Sequence, residues 1–170
     1  MKIAACIVSA LCIGGNSGAS LAQVPGVIGT WKLNVEASRF PEAVPQVHVR
    51  SYRLAENGML IGLAVFVDSK GRPGFLQFAA KPDGKDYPEF SADSAASYLS
   101  NGMAPSRTYA ETPTSDPNKV KWVDKRDGKI VGSGEKWVSA DGKRLSFTVD
   151  MKDGPGKTAQ YLYVFDRTGP

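Results

Sequence analysis

The chain is nearly without cysteine and histidine: of its 170 residues two are cysteines, Cys6 and Cys12, and one is a histidine, His48. Both cysteines fall in the first 22 residues, which carry one positive charge at Lys2, an apolar run from Ile3 to Ile13, and a small, polar end at Ser20-Leu21-Ala22. That layout is a secretory signal, and the small residues Ser20 and Ala22 predict cleavage before Gln23. The apolar run is well short of the roughly 20 residues that cross a bilayer as a helix, so no stable membrane anchor is expected. Removing 22 of 170 residues leaves 148, enough for one core, and 23–170 is expected to be a single exported domain, periplasmic or secreted. Such a chain holds no thiol. It must fold without disulfides, and it cannot be a cysteine enzyme.

Other chemistries fall away by the same inventory. One histidine and no cysteine leave too few nitrogen or sulfur ligands for zinc, copper or non-haem iron, so neither a metal nor a cofactor is expected. His48, in Val47-His48-Val49-Arg50, reads as a structural or surface residue of a strand. Gly132-Ser133-Gly134 lacks the second spacer of a nucleophile elbow, and no third glycine follows to make a dinucleotide loop. These glycines read instead as relief of curvature in a bent strand. Asp124, Asp127, Asp141, Asp150 and Asp153 fall at or beside turns and read as solvated tips, so no catalytic carboxylate pair is expected.

Charge is balanced too. The net charge is +4 and drops to +3 once Lys2 leaves with the signal. A basic run from Lys119 to Lys129 interleaves lysine and arginine with Trp122, the pattern of a polyanion site, but Asp124 and Asp127 dilute it. Strand alternation also sets Trp122 on the opposite face from Lys121 and Lys125. A solvated hairpin accounts for the run, and no nucleic-acid partner is expected.

What the chain has in quantity is a repeated turn signal. Asn57-Gly58, Asp83-Gly84, Asp127-Gly128, Asp141-Gly142 and Asp153-Gly154 read as hairpin tips, with Ser69-Lys70-Gly71 as a weaker sixth. Between them lie β-rich segments at about Val47–Leu54, Met59–Val67, Phe75–Ala80, Arg107–Thr112, Val120–Lys125, Ile130–Val138, Leu145–Met151 and Ala159–Phe165, with a ninth around Trp31. Alternation is cleanest where Leu145, Phe147, Val149 and Met151 share one face. Met59–Val67 is apolar on both faces and predicts an outer cover, for which the alanine-rich Ala92–Leu99 is the candidate helix. Hairpins in this number close to remove their edges, so the expectation is an all-β, antiparallel up-and-down barrel of 8–10 strands.

Gly29-Thr30-Trp31 at the start of the first strand resembles the lipocalin signature. Arg167, just after Tyr161-Leu162-Tyr163-Val164-Phe165-Asp166, is placed like the arginine that packs across that family's tryptophan. The longer strings Gly29–Asn34, Glu36–Pro41 and Asp83–Pro88 are similar to short bacterial exported lipocalin-like (calycin-type) barrels. The resemblance implies that Trp31 and Arg167 plug one end and that the interior takes a ligand. The family's middle threonine-aspartate-tyrosine motif is absent.

All 16 aromatics lie beyond the signal. Trp122, Trp137, Phe147, Tyr161, Tyr163 and Phe165 fall on strands and can line one interior, where they fill the bore or leave room for one small ligand. Tyr52, Glu135, Tyr161 and Tyr163 are its candidate polar groups, suited to orienting a small apolar or amphipathic molecule. Two other readings stay open: a packed barrel acting on a macromolecule or the cell envelope through its outer surface, and a barrel enzyme of cyclase or isomerase type.

Overall fold

The computed structural model describes residues 26–40, 44–91, 107–152 and 158–170. The secretion signal and the Ala92–Leu99 helix expected from the sequence lie outside them. Ten strands occur: β1 (Gly29–Leu33), β2 (Val47–Leu54), β3 (Leu60–Val67), β4 (Pro73–Ala80), β5 (Tyr87–Ser91), β6 (Arg107–Pro113), β7 (Lys119–Arg126), β8 (Lys129–Val138), β9 (Arg144–Lys152) and β10 (Thr158–Gly169). Each pairs antiparallel with its sequence neighbour, and β1 pairs with β10, so the sheet closes into an up-and-down barrel. The described residues include no helix.

Local chemistry accounts for the meander. At Asp127-Gly128 both residues have positive φ, 49° and 74°, so two residues suffice to turn β7 into β8 with the twist of the strands. Period-2 alternation then selects the inner face. Val120 and Trp122 of β7 are buried between exposed or half-buried neighbours, and Leu145 and Phe147 of β9 and Phe165 of β10 are buried with them.

β5 is the strand that sequence reasoning does not see. It is short, contains Pro88, and its backbone register with β6 is limited to Tyr87↔Tyr109 and Pro88↔Thr108 among the described residues. No alternating apolar run announces it. Its inward residue is the charged Glu89, 0 % exposed.

One end is closed. Trp31, fully buried, donates its indole N–H to the Val27 carbonyl at 2.8 Å and packs with Leu60, Val120, Val138 and Leu145. The Arg167 guanidinium carbon sits 4.1 Å from the Trp31 ring centroid. Gly29 is tied to this arrangement, because a Cβ there would lie 2.5 Å from Arg167 Nη1 and its φ of 137° disfavours side chains. The opposite end carries the Asp68–Arg72 turn and the Asp127-Gly128 tip.

Candidate functional site

Above the plug the barrel interior changes character. A first polar layer joins Lys136 of β8 to Glu111 of β6 in a buried ion pair, with the Tyr109 hydroxyl donating to the same Glu111 oxygen. Lys136 Nζ also lies 5.1 Å from the Tyr52 ring centroid. Burial, and then the Glu111 charge, hold the Tyr109 hydroxyl well above its ordinary value, which keeps it a donor.

Beyond this layer lies a cavity of about 560 Å³, walled by Phe66, Leu76, Phe78, Trp122, Phe147 and Tyr163. Its polar lining comes from the inward positions of four strands: His48 and Arg50 of β2, Glu89 of β5, Arg107 and Tyr109 of β6, and Asp124 of β7. Asp68, Lys70 and Arg72 of the β3–β4 turn stand at its mouth.

Arg50 is the central cation. Its guanidinium carbon lies 4.5 Å from the Phe147 centroid and 5.6 Å from that of Phe165, and Nη1 donates to the Tyr52 hydroxyl at 3.2 Å. Burial alone pulls its value down, but Tyr52, Tyr109 and Asp124 outweigh that and hold it above the ordinary arginine range. Among the described residues it has no carboxylate at ion-pair distance, and its Nε has no hydrogen-bond partner. Such a donor is costly to leave unmade.

Arg107 holds the acids. Its Nε lies 2.8 Å from Glu89 Oε1, and its Nη2 donates to Asp124 Oδ2 at 3.4 Å. Burial, reinforced by the Asp124 charge, pushes Glu89 up to about 8 despite Arg107. Asp124 is raised as well, chiefly by burial, against the pull of its hydrogen bond with Glu89 and of both arginines. His48 is packed edge-on against Phe165 at 5.0 Å, and burial followed by the Arg50 charge lowers it to about 3. It is therefore a neutral imidazole whose Nε2 has no hydrogen-bond partner among the described residues.

The residues expected from the sequence divide three ways. Trp122, Phe147 and Tyr163 line the cavity. Tyr52 and Tyr161 stand behind it, the first receiving Arg50's hydrogen bond and the second stacked on Tyr163 with centroids 6.2 Å apart. Glu135 and Trp137 do not face the interior, a correction to the expectation. The intervening Lys136 points inward to Glu111, so alternation turns both of its neighbours outward. There Lys119 Nζ lies 3.7 Å from Glu135 Oε2 and 5.2 Å from the Trp137 centroid. Asp124 is a second correction: it is no solvated tip but an inward residue two positions from Trp122.

The arginines and Glu89 are absent from the sequence expectation. Arg50 had a usable signal, since it shares strand parity with Tyr52, and the same holds for Asp124 and Trp122. Glu89 and Arg107 had none, because Glu89 lies on the unrecognised β5 and Arg107 meets it only across the strand pair.

Comparison with solved structures returns barrels of this shape. The fluorescent protein UnaG superposes with a TM-score of 0.52 at 15 % identity, covering 86 % of this chain and 100 % of that one. A point mutant of UnaG gives 0.56 at 15 % identity, over 86 % and 99 % of the two chains. The likeness shows the fold alone, a closed antiparallel β-barrel shared with UnaG. No protein-family model matches the chain, and no curated protein matches it.

Proposed function

We propose that the barrel binds a small amphipathic molecule in its interior, apolar body against Trp122, Phe147 and Tyr163 and polar end toward Arg50. The observation that carries this reading is the 560 Å³ cavity in which Arg50 Nε and His48 Nε2 are buried without partners among the described residues. A space of that size, apolar in its walls with a few convergent polar atoms, has the make-up of a small-molecule site. A filled core would leave no reason to bury unpaired donors.

Tryptophan makes the proposal measurable. Titration with fatty acids, aromatic acids and isoprenoids is expected to quench the fluorescence saturably with at least one compound. Trp122→Phe should remove most of that response, while Trp137→Phe, on the outer face, should not. Tyr163→Ala is expected to weaken affinity up to about tenfold, the worth of one aromatic contact. A panel without any saturable response would favour a second reading, a module that works through its outside. That reading draws on Ile61, Leu63 and Val65, which stand 37–47 % exposed along the outer face of β3.

We also propose that the chain is exported and loses residues 1–22, a reading that rests on the sequence of that segment. Intact mass of protein recovered from outside the cytoplasm should match a chain starting at Gln23, without a titratable thiol. A mature form retaining Cys12 would refute it.

A further inference from the structure

The cavity holds two acids on one arginine, and among the described residues the second arginine has no acid at ion-pair distance. Arg107 reaches Glu89 at 2.8 Å and Asp124 at 3.4 Å, while Arg50 spends a donor on the Tyr52 hydroxyl and lies over Phe147. Glu89 is wholly buried and Asp124 is 14 % exposed at its side chain. Two carboxylates on one arginine, one wholly and one mostly buried and each within reach of the other's charge, favour holding one proton between them.

We propose, building on the interior-ligand reading, that Glu89 and Asp124 share one proton beside Arg107, leaving the cavity one net positive charge. The barrel then takes an organic monoanion at Arg50 and gives it up when that proton is lost.

The charge count follows from the described ionisable groups around the pair. Arg50 and Arg107 supply two positive charges, and the singly protonated pair supplies one negative. Glu111 and Lys136 cancel each other one layer below. His48 is neutral, the Tyr109 hydroxyl donates to Glu111, and the Tyr52 hydroxyl accepts from Arg50. At the mouth Asp68 and Arg72 pair at 2.7 Å, and the exposed Lys70 adds attraction for an anion without sitting in the site. One ligand negative charge therefore neutralises the interior, whereas a dianion overshoots and a neutral molecule leaves Arg50 unpaired.

Glu89 is pushed up to about 8, so the shared proton is present at neutral pH and lost in the mildly alkaline range. Above that value the pair carries two negative charges against two arginines, and an entering anion finds no excess positive charge. Below it the anion is balanced. Binding and protonation thus support each other, and a ligand leaving above this pH releases a proton to water.

The test uses 1-anilinonaphthalene-8-sulfonate, a monoanion whose sulfonate does not titrate in this range, beside N-phenyl-1-naphthylamine, the same scaffold without the charge. Affinity of the full chain for the sulfonate is expected to fall from about pH 7 to about pH 9.5, approaching tenfold per pH unit above the pair's value, while the uncharged amine stays level. Glu89→Gln carries amide hydrogens in place of the acid's proton and should flatten the sulfonate profile. Asp124→Asn provides the same check if Glu89→Gln folds poorly. Arg50→Leu should abolish the preference for the sulfonate over the amine. Saturable sulfonate binding with the same flat profile in wild type and Glu89→Gln would overturn the proton linkage and leave the interior-ligand reading standing. Equal affinity for both compounds at neutral pH would overturn the monoanion. If neither compound binds, the interior-ligand reading itself is refuted along with this one.

Discussion

Replacing Lys136 by methionine is expected to cost about 3–5 kcal/mol of folding stability, the effect of removing one partner from a buried ion pair. Lys136 is 0 % exposed and Glu111 3 % exposed, so neither can turn to water. With the ammonium gone, Glu111 keeps only the Tyr109 hydroxyl among its described side-chain partners, too little for a carboxylate at that depth. For a domain of this size the loss corresponds to a fall of about 6–20 °C in melting temperature. The pair as a whole is a different matter. Taking two charges out of water costs much of what their attraction returns, so the double variant Lys136→Met with Glu111→Leu should recover most of the stability. Urea unfolding of the wild type, both single variants and the double closes this cycle. A double variant as unstable as the sum of the singles would show that the two residues act independently.

The same lysine marks where the sequence stops being readable. Period-2 alternation carries the reading through β7 and β9, because one face of each is plainly more apolar or more aromatic. The turn pairs that separate strands depend on a local property, tolerance of positive φ, which is visible in two residues. In β8 the pattern misleads. Trp137 and Glu135 share a face that includes a large aromatic, so hydrophobicity nominates it as the interior. The charged Lys136 faces inward because Glu111, 25 residues away, is there to meet it. No window along the chain contains that information. β5 fails for a related reason, since its buried Glu89 is stabilised by Arg107 rather than by apolar neighbours. Trp122, Phe147 and Tyr163 of the cavity wall are accordingly legible, and the polar half of the cavity is not, because partnership across the barrel overrides residue type wherever charges are buried in pairs.

The Arg167 side chain fastens the closed end, and its loss is expected to be the second large effect. Its guanidinium stacks 4.1 Å from the Trp31 centroid while Nη1 donates to the Ile28 carbonyl at 2.7 Å, Nε to the Gly142 carbonyl at 2.8 Å, and Nη2 to the Gly26 carbonyl. One residue thereby joins the segment before β1, the β8–β9 turn and the end of β10. Cation–π contact contributes about 0.5–2 kcal/mol, and charge-assisted hydrogen bonds add about 1.5–3 kcal/mol each when buried but less at this half-exposed site. Arg167→Ala should therefore cost about 2–4 kcal/mol. Arg167→Lys should recover only a fraction, because an ammonium keeps the charge but cannot lie flat on the indole and reach three carbonyls from one plane. Lys129→Ala, at the exposed start of β8 on the far end, should change stability by less than about 0.5 kcal/mol. Thermal melts of the three variants separate the possibilities. Equal, small losses for Arg167→Ala and Lys129→Ala would mean that Trp31 holds the end shut without its arginine. A full recovery in Arg167→Lys would show that charge alone, and not the fork across the indole, is what fastens it.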